Sequence, residues 1–190
     1  MRLNKLTRIF TILLMMFMMT VTVASAATLQ EKRDSIRRMR TETLQKLYIV
    51  HPTAQGALQK AYGYAVFDNS DIQFGFIGGG GGNGLGIINK NGGEVFMNTL
   101  EGSIGFGLGI KNYMLVFVFE TKKSFDGFTN SGWEWGGQAT AAATDSVAGD
   151  SVQGAVSVGP GIWVYQITDK GLELTATIRG IRYYKNGDLN

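Results

Sequence analysis

In the run Gly102 to Ile110, Gly-Ser-Ile-Gly-Phe-Gly-Leu-Gly-Ile, glycine and large apolar residues alternate strictly from Ile104 onward. That two-residue period predicts a strand with one smooth face and one greasy face. A denser glycine run, Phe74 to Ile87, precedes it and carries Phe74, Phe76, Ile77, Leu85 and Ile87 among its glycines. Flexible linkers lack such interleaved apolar residues. A strand face of glycine lets another layer approach to backbone distance or lets the sheet coil sharply. The two runs therefore predict a tightly curved β-scaffold, with Gly105, Gly107 and Gly109 lining a closely packed face.

Before the glycine runs the period is helical. Leu29, Ile36, Met39, Thr43, Leu44, Leu47 and Tyr48 recur at three- and four-residue spacing, which predicts an amphipathic helix over residues 27–50. His51-Pro52 ends it, because the residue before proline avoids the helical region. Thr53 is positioned to cap a short second helix, Ala54 to Ala61.

From Tyr62 onward strands are expected. Tyr64 to Phe67 runs into Asp68-Asn69-Ser70-Asp71, which reads as a turn. Asn89-Lys90-Asn91-Gly92-Gly93 predicts a hairpin between Gly84–Ile88 and Glu94–Asn98. The unbroken apolar stretch Met114 to Glu120 suits a strand covered on both faces. Phe125 and Phe128, three apart, place a short helix in Lys122 to Asn130. A last strand pair is expected from Gly154 to Ile167 and Gly171 to Gly180, around Thr168-Asp169-Lys170-Gly171. Gln138 to Gly149 reads as irregular or alanine-rich strand. The fold class is α+β: one or two N-terminal helices, then a glycine-rich, strongly coiled antiparallel sheet or partial β-barrel.

The N-terminus changes the charge argument. Arg2, Lys5 and Arg8 precede an apolar run, Ile9 to Val23, and Ala24-Ser25-Ala26 supplies a small-residue cleavage pattern. This is the pattern of a secretory signal peptide over residues 1–26, too short for a spanning helix. One domain, residues 27–190, is then expected in the periplasm or outside the cell. The chain has 18 basic and 15 acidic residues; loss of those three cations leaves it balanced. No basic surplus remains for nucleic acid. The sequence has no cysteine, so the core alone must hold the domain, and lipid-modified cysteine, thiolate metal sites and thiol catalysis are all excluded.

Several segments then resemble the SYLF family, also called the Ysc84 domain. They are Ala61 to Phe67, Gly78 to Gly86, Gly105 to Lys111, Val116 to Phe119, Gly132 to Gln138 and Trp163 to Leu172. The tail from Gly180 to Asn190 is similar to that of secreted bacterial members. The resemblance covers roughly Leu44 to Asn190 and implies a lipid-binding module. Eukaryotic members bind phosphoinositides, and some bind and bundle actin. Where those often carry Trp-Ser-x-Pro, this chain has Glu94-Val95-Phe96-Met97. With a signal peptide as well, no actin partner is expected.

The chemistry-bearing residues point away from an enzyme. Gly79-x-Gly81-x-x-Gly84 has the letters of a dinucleotide loop, but Leu85 to Ile88 continues as strand where a helix is required. His51 is the only histidine and sits before proline at a helix end, the place of a surface or cap residue. No catalytic residue, metal or cofactor is expected. The expected activity is binding to a lipid or membrane surface, favouring anionic lipids. Its candidate residues are Arg33, Arg37, Arg38, Arg40 and Lys46 on the basic helix face, with Trp133 and Trp135 as interfacial anchors. The rival expectation is a scaffold that binds a protein partner through its curved sheet. An outer-membrane barrel is disfavoured, since the chain ends Asp188-Leu189-Asn190 without a terminal aromatic residue.

Overall fold

The computed structural model describes residues 28–135, 154–168, 171–172 and 180–190. Helix α1 spans Leu29–Val50 and starts in a capping box. The Thr28 hydroxyl accepts from the Glu31 amide at 3.2 Å, and the Glu31 carboxylate accepts from the Thr28 amide at 2.6 Å. The helix ends at His51, as the following proline requires. Its buried residues, Ile36, Thr43 and Leu47, lie on the expected apolar stripe, and that stripe packs against the sheet. Helix α2 spans Ala54–Lys60. Thr53 does not cap it through its side chain, contrary to expectation: its hydroxyl lies 2.7 Å from the His51 imidazole instead.

Two very long strands follow. β1 (Gly63–Ile88) and β2 (Gly93–Phe119) pair antiparallel along almost their whole length, joined by the expected turn at residues 89–92. The expected turn at Asp68 to Asp71 is overturned. All four residues sit in β1, paired with Met114 to Lys111. The β2 ladder supplies the backbone partners that a turn would otherwise provide. Asn69 and Asp71 point inward and are buried, while Asp68 and Ser70 point outward.

A ribbon this long folds back on itself, and glycine permits it. A Cβ at Gly80 would lie 2.0 Å from the Ser70 carbonyl oxygen, and one at Gly82 would lie 2.0 Å from that of Asp68. One at Gly84 would lie 2.2 Å from the Phe67 ring. The close approach thus falls in the first glycine run, not at Gly109, where a Cβ would meet nothing within 4 Å. Gly105 and Gly107 belong to β2, and their surroundings lie outside the description. The fold-back leaves the segment around Gly75 as the ribbon tip. There the register slips between Gly75 and Ile77, and Gly75 takes φ +65°. Such a bulge adds bend and twist.

Helix α3 (Lys122–Asn130) forms as expected, capped by Thr121 and Ser124. The remaining strands are β3 (Trp133–Trp135), β4 (Val156–Gly159), β5 (Ile162–Thr168), β6 (Gly171–Leu172) and β7 (Gly180–Lys185). The expected strand Gly154 to Ile167 is therefore split, because Gly159-Pro160-Gly161 turns, with Gly161 at φ +66°. The β5–β6 hairpin around Thr168–Gly171 is present. Gln138 to Gly149, and Glu173 onward in the expected last strand, lie outside the described residues as far as Arg179.

β2 organises the sheet. One edge carries β1; the other carries β7 along Met97–Gly102 and β5 along Tyr113–Phe119. β3 pairs with the other edge of β7, and β4 and β6 pair with β5 on the edge away from β2. The described strands form one seven-stranded sheet, an open half-barrel of α+β class. Of the expected strand Met114 to Glu120, Glu120 lies exposed just past the end of β2, and Met114 to Phe119 is buried on both faces. Its odd positions, Leu115, Phe117 and Phe119, enter an aromatic interior with Phe67, Phe125, Phe128 and Tyr183. Its even positions, Val116 and Val118, pack with Leu47, Leu58 and Tyr165 under α1 and α2.

Candidate functional site

Among the described residues, the ribbon tip gathers the largest group of exposed apolar side chains. Ile72, Phe74, Phe76 and Ile77 from β1, with Leu108 and Ile110 from β2, are all exposed; Phe74 is 80% exposed, Ile77 75% and Leu108 74%. Scattered apolar residues on a surface are ordinary, but a contiguous patch of this kind marks a binding surface. The register places them. Ile72 faces Ile110 and Phe74 faces Leu108, so these four share one face of the ribbon.

The same face turns polar toward α1. The next cross-strand pairs are Ser70 with Asn112 and Asp68 with Met114. The Ser70 hydroxyl donates to the Asn112 side-chain oxygen at 2.8 Å. Over these residues α1 lays Met39, Glu42, Thr43 and Lys46, enclosing an open cleft of about 300 Å³. Lys46 Nζ stands 3.9 Å from Met114 Sδ. Partial desolvation pushes the Asp68 carboxyl up, Lys46 pulls it down and Glu42 pushes it up again.

The opposite face of the ribbon is sealed by a buried polar layer. Thr99 Oγ1 donates to Asn69 Oδ1 at 2.6 Å, and the Tyr113 hydroxyl donates to the Glu101 carboxylate. The Tyr183 hydroxyl lies fully buried with no hydrogen-bond partner, as does Asn69 Nδ2. Burial first, then Tyr113 and Glu101, pushes the Tyr183 hydroxyl well above its ordinary value. It stays protonated at any physiological pH. This layer closes the aromatic interior just behind the tip.

The residues singled out from sequence do not form one site. Arg37 donates to both carboxylate oxygens of Glu94, at 2.6 to 3.1 Å, and to Asp34 at 2.8 Å, with its guanidinium 5.5 Å above the Phe96 ring. The hydrogen bonds from Arg37 hold the Glu94 carboxyl below its usual range. Arg33 donates to the Leu189 carbonyl at 2.9 Å. Arg40 is half-buried, and its Nε has no partner. Arg38 is exposed, and Lys46 borders the cleft. Trp133 is half-buried against Phe117, Phe128 and Tyr183, with ring centres 5.4 to 5.8 Å apart. Trp135 pairs with Ile181 in the β3–β7 ladder. His51 caps the C-terminus of α1, and its ring lies tilted against Tyr165 with centres 5.5 Å apart. Among the described residues no three His, Asp or Glu side chains gather as a metal site, and no helix is long and apolar enough to cross a membrane.

Sequence reading missed the tip residues as a site. Their signal was present: Ile72, Phe74 and Phe76 alternate with Gln73 and Gly75. The greasy face of such a strand reads as core until its exposure is known.

Two comparisons bear on the chain. Residues 100–190 match the family model described as "Ysc84: Las17-binding protein actin regulator". Over 162 residues, 85% of its length, the chain is 33% identical to beta cell expansion factor A of Aeromonas veronii. The match spans 60% of that protein's length.

Proposed function

With residues 100–190 carrying a Ysc84 (SYLF) domain, we propose that this is a non-enzymatic protein of the cell envelope that binds membrane surfaces by its ribbon tip. The family supports a lipid-binding or interaction role in general. The observation that carries the finer reading is the exposed cluster of Ile72, Phe74, Phe76, Ile77, Leu108 and Ile110. Full burial of one such side chain yields about 1.5–3 kcal/mol, so six buried halfway supply on the order of 5 kcal/mol. A two-stranded ribbon still has unpaired backbone along its edges, which cannot enter hydrocarbon without cost. The tip therefore sits at the interface between head groups and acyl chains and does not span.

Charge plays the smaller part. Ion pairs take up Arg37 of α1, and Arg33 is held by the Leu189 carbonyl. Lys32, Arg38 and Lys46 remain to attract anionic lipids, at about 1 kcal/mol each near a charged surface. Residues 1–26 are read as the signal that delivers the chain to the envelope. The actin regulation in the family's description is not carried over.

Flotation with vesicles of phosphatidylethanolamine and phosphatidylglycerol, 3:1, tests the reading. Wild type should float. Phe74→Ser with Phe76→Ser should stay at the bottom of the gradient with a melting temperature close to that of wild type, because both side chains are largely exposed. Equal flotation of the two would move the tip to a protein-docking role.

A further inference from the structure

We infer that the outer face of the ribbon is a site for one amphiphile whose head group carries both a phosphate and an ammonium, with its head in the cleft under α1 and its chain along the tip. This rests on the membrane-binding reading and names the ligand of that site. The first support is continuity. In register order, Asp68 with Met114, Ser70 with Asn112, Ile72 with Ile110 and Phe74 with Leu108 lie on one face. The face thus passes from polar to apolar in a single step, between Ser70 and Ile72. From Ser70 to Phe74 is about 13 Å of strand, an apolar track that begins where the cleft ends.

The second support is charge. Among the described residues the cleft holds one cation, Lys46, and two carboxylates, Glu42 and Asp68, near enough that both Lys46 and Glu42 shift the Asp68 carboxyl. None of the three forms an ion pair within 4 Å among the described residues. A purely anionic head would meet two carboxylates and a purely cationic one would leave Lys46 unmatched. A phosphoethanolamine head matches both signs, with its phosphate at Lys46 and its ammonium at Asp68 and Glu42. Its three N–H donors suit carboxylates better than a quaternary ammonium, which has none. A volume of about 300 Å³ is at the small end of ligand pockets, enough for a head group and not for a whole lipid.

The test is calorimetric titration of the full chain with dihexanoyl phosphatidylethanolamine and dihexanoyl phosphatidylglycerol, both held below their micelle concentrations. The ethanolamine lipid should bind about tenfold more tightly, one charge-assisted contact's worth. Asp68→Asn should bring the two lipids level, and Lys46→Gln should weaken both. Free phosphoethanolamine, which has no chains to lie on Ile72 and Phe74, should bind at least about tenfold more weakly than the lipid. Equal affinity of wild type for the two lipids, or a preference untouched by Asp68→Asn, overturns the inference. If that happens while the Phe74→Ser, Phe76→Ser protein still fails to float, membrane binding by the tip stands and only the head-group site falls. If that protein floats like wild type, it is the membrane reading that falls.

Discussion

At Gly82 there is no room for a methyl group. A Cβ would lie 2.0 Å from the Asp68 carbonyl oxygen and 2.5 Å from the Asn69 side-chain oxygen, both in the other half of the same strand. Backbone cannot yield as a flexible side chain can, so Gly82→Ala should cost about 1–3 kcal/mol by overpacking. In a domain of this size that lowers the melting temperature by roughly 2–10 °C. Gly102 provides the control, since a Cβ there would meet nothing within 4 Å. Gly102→Ala should melt with wild type. Equal melting of the two variants would mean that the ribbon is not folded back as described. The alternation of glycine with apolar residues does reveal strands and close packing, but not which glycine run is packed. The first run is the denser, but glycine density alone does not say what lies opposite, and only the fold-back distinguishes Gly82 from Gly109.

At the scale of elements, the legible pieces are those with local causes. α1 has its apolar period, its Thr28 capping box and Pro52 beyond its end; the hairpin has Asn91-Gly92 at its turn. The misread pieces are decided by distant partners. Asp68 to Asp71 has turn composition, yet pairing with Met114 to Lys111 keeps it extended. The basic face of α1 shows the same limit, because Glu94, the partner of Arg37, is 57 residues away. That pair gives a pH prediction. Hydrogen bonding to Arg37 lowers the Glu94 carboxyl below the ordinary 4.5 in the folded chain. A depressed carboxyl adds stability that is present above its unfolded value and lost as pH falls through the folded one. Glu94→Gln should therefore melt lower than wild type at pH 7, by the equivalent of about 1 kcal/mol after allowing for the partial exposure of the pair. The gap should close progressively as the buffer is taken below about 4.5. A gap that persists unchanged at pH 3 would show that the carboxylate is not what fastens α1 to the hairpin.

The whole molecule has a direction that no single element contains. The turn at residues 89–92 lies beside the start of β1, with Asn89 donating to the Tyr62 backbone carbonyl at 3.1 Å and to that of Leu58 at 2.7 Å. The apolar tip around Gly75 is the opposite end of the folded ribbon. Trp133, expected from sequence to anchor at an interface, packs between these ends on Phe117, Phe128 and Tyr183. If the molecule meets a bilayer tip first, a fluorophore at the tip should enter a drier medium while one at the far turn stays in water. Phe74→Trp replaces one exposed aromatic by another and leaves the core untouched. Its emission should shift to the blue when vesicles are added, and lipids brominated near the head of the chain should quench it more than lipids brominated near the methyl end. Asn91→Trp, at the exposed turn, should show neither effect. The reverse result, with a shift at residue 91 and none at 74, would turn the molecule over and assign contact with lipid to the end where α2 and the hairpin turn meet.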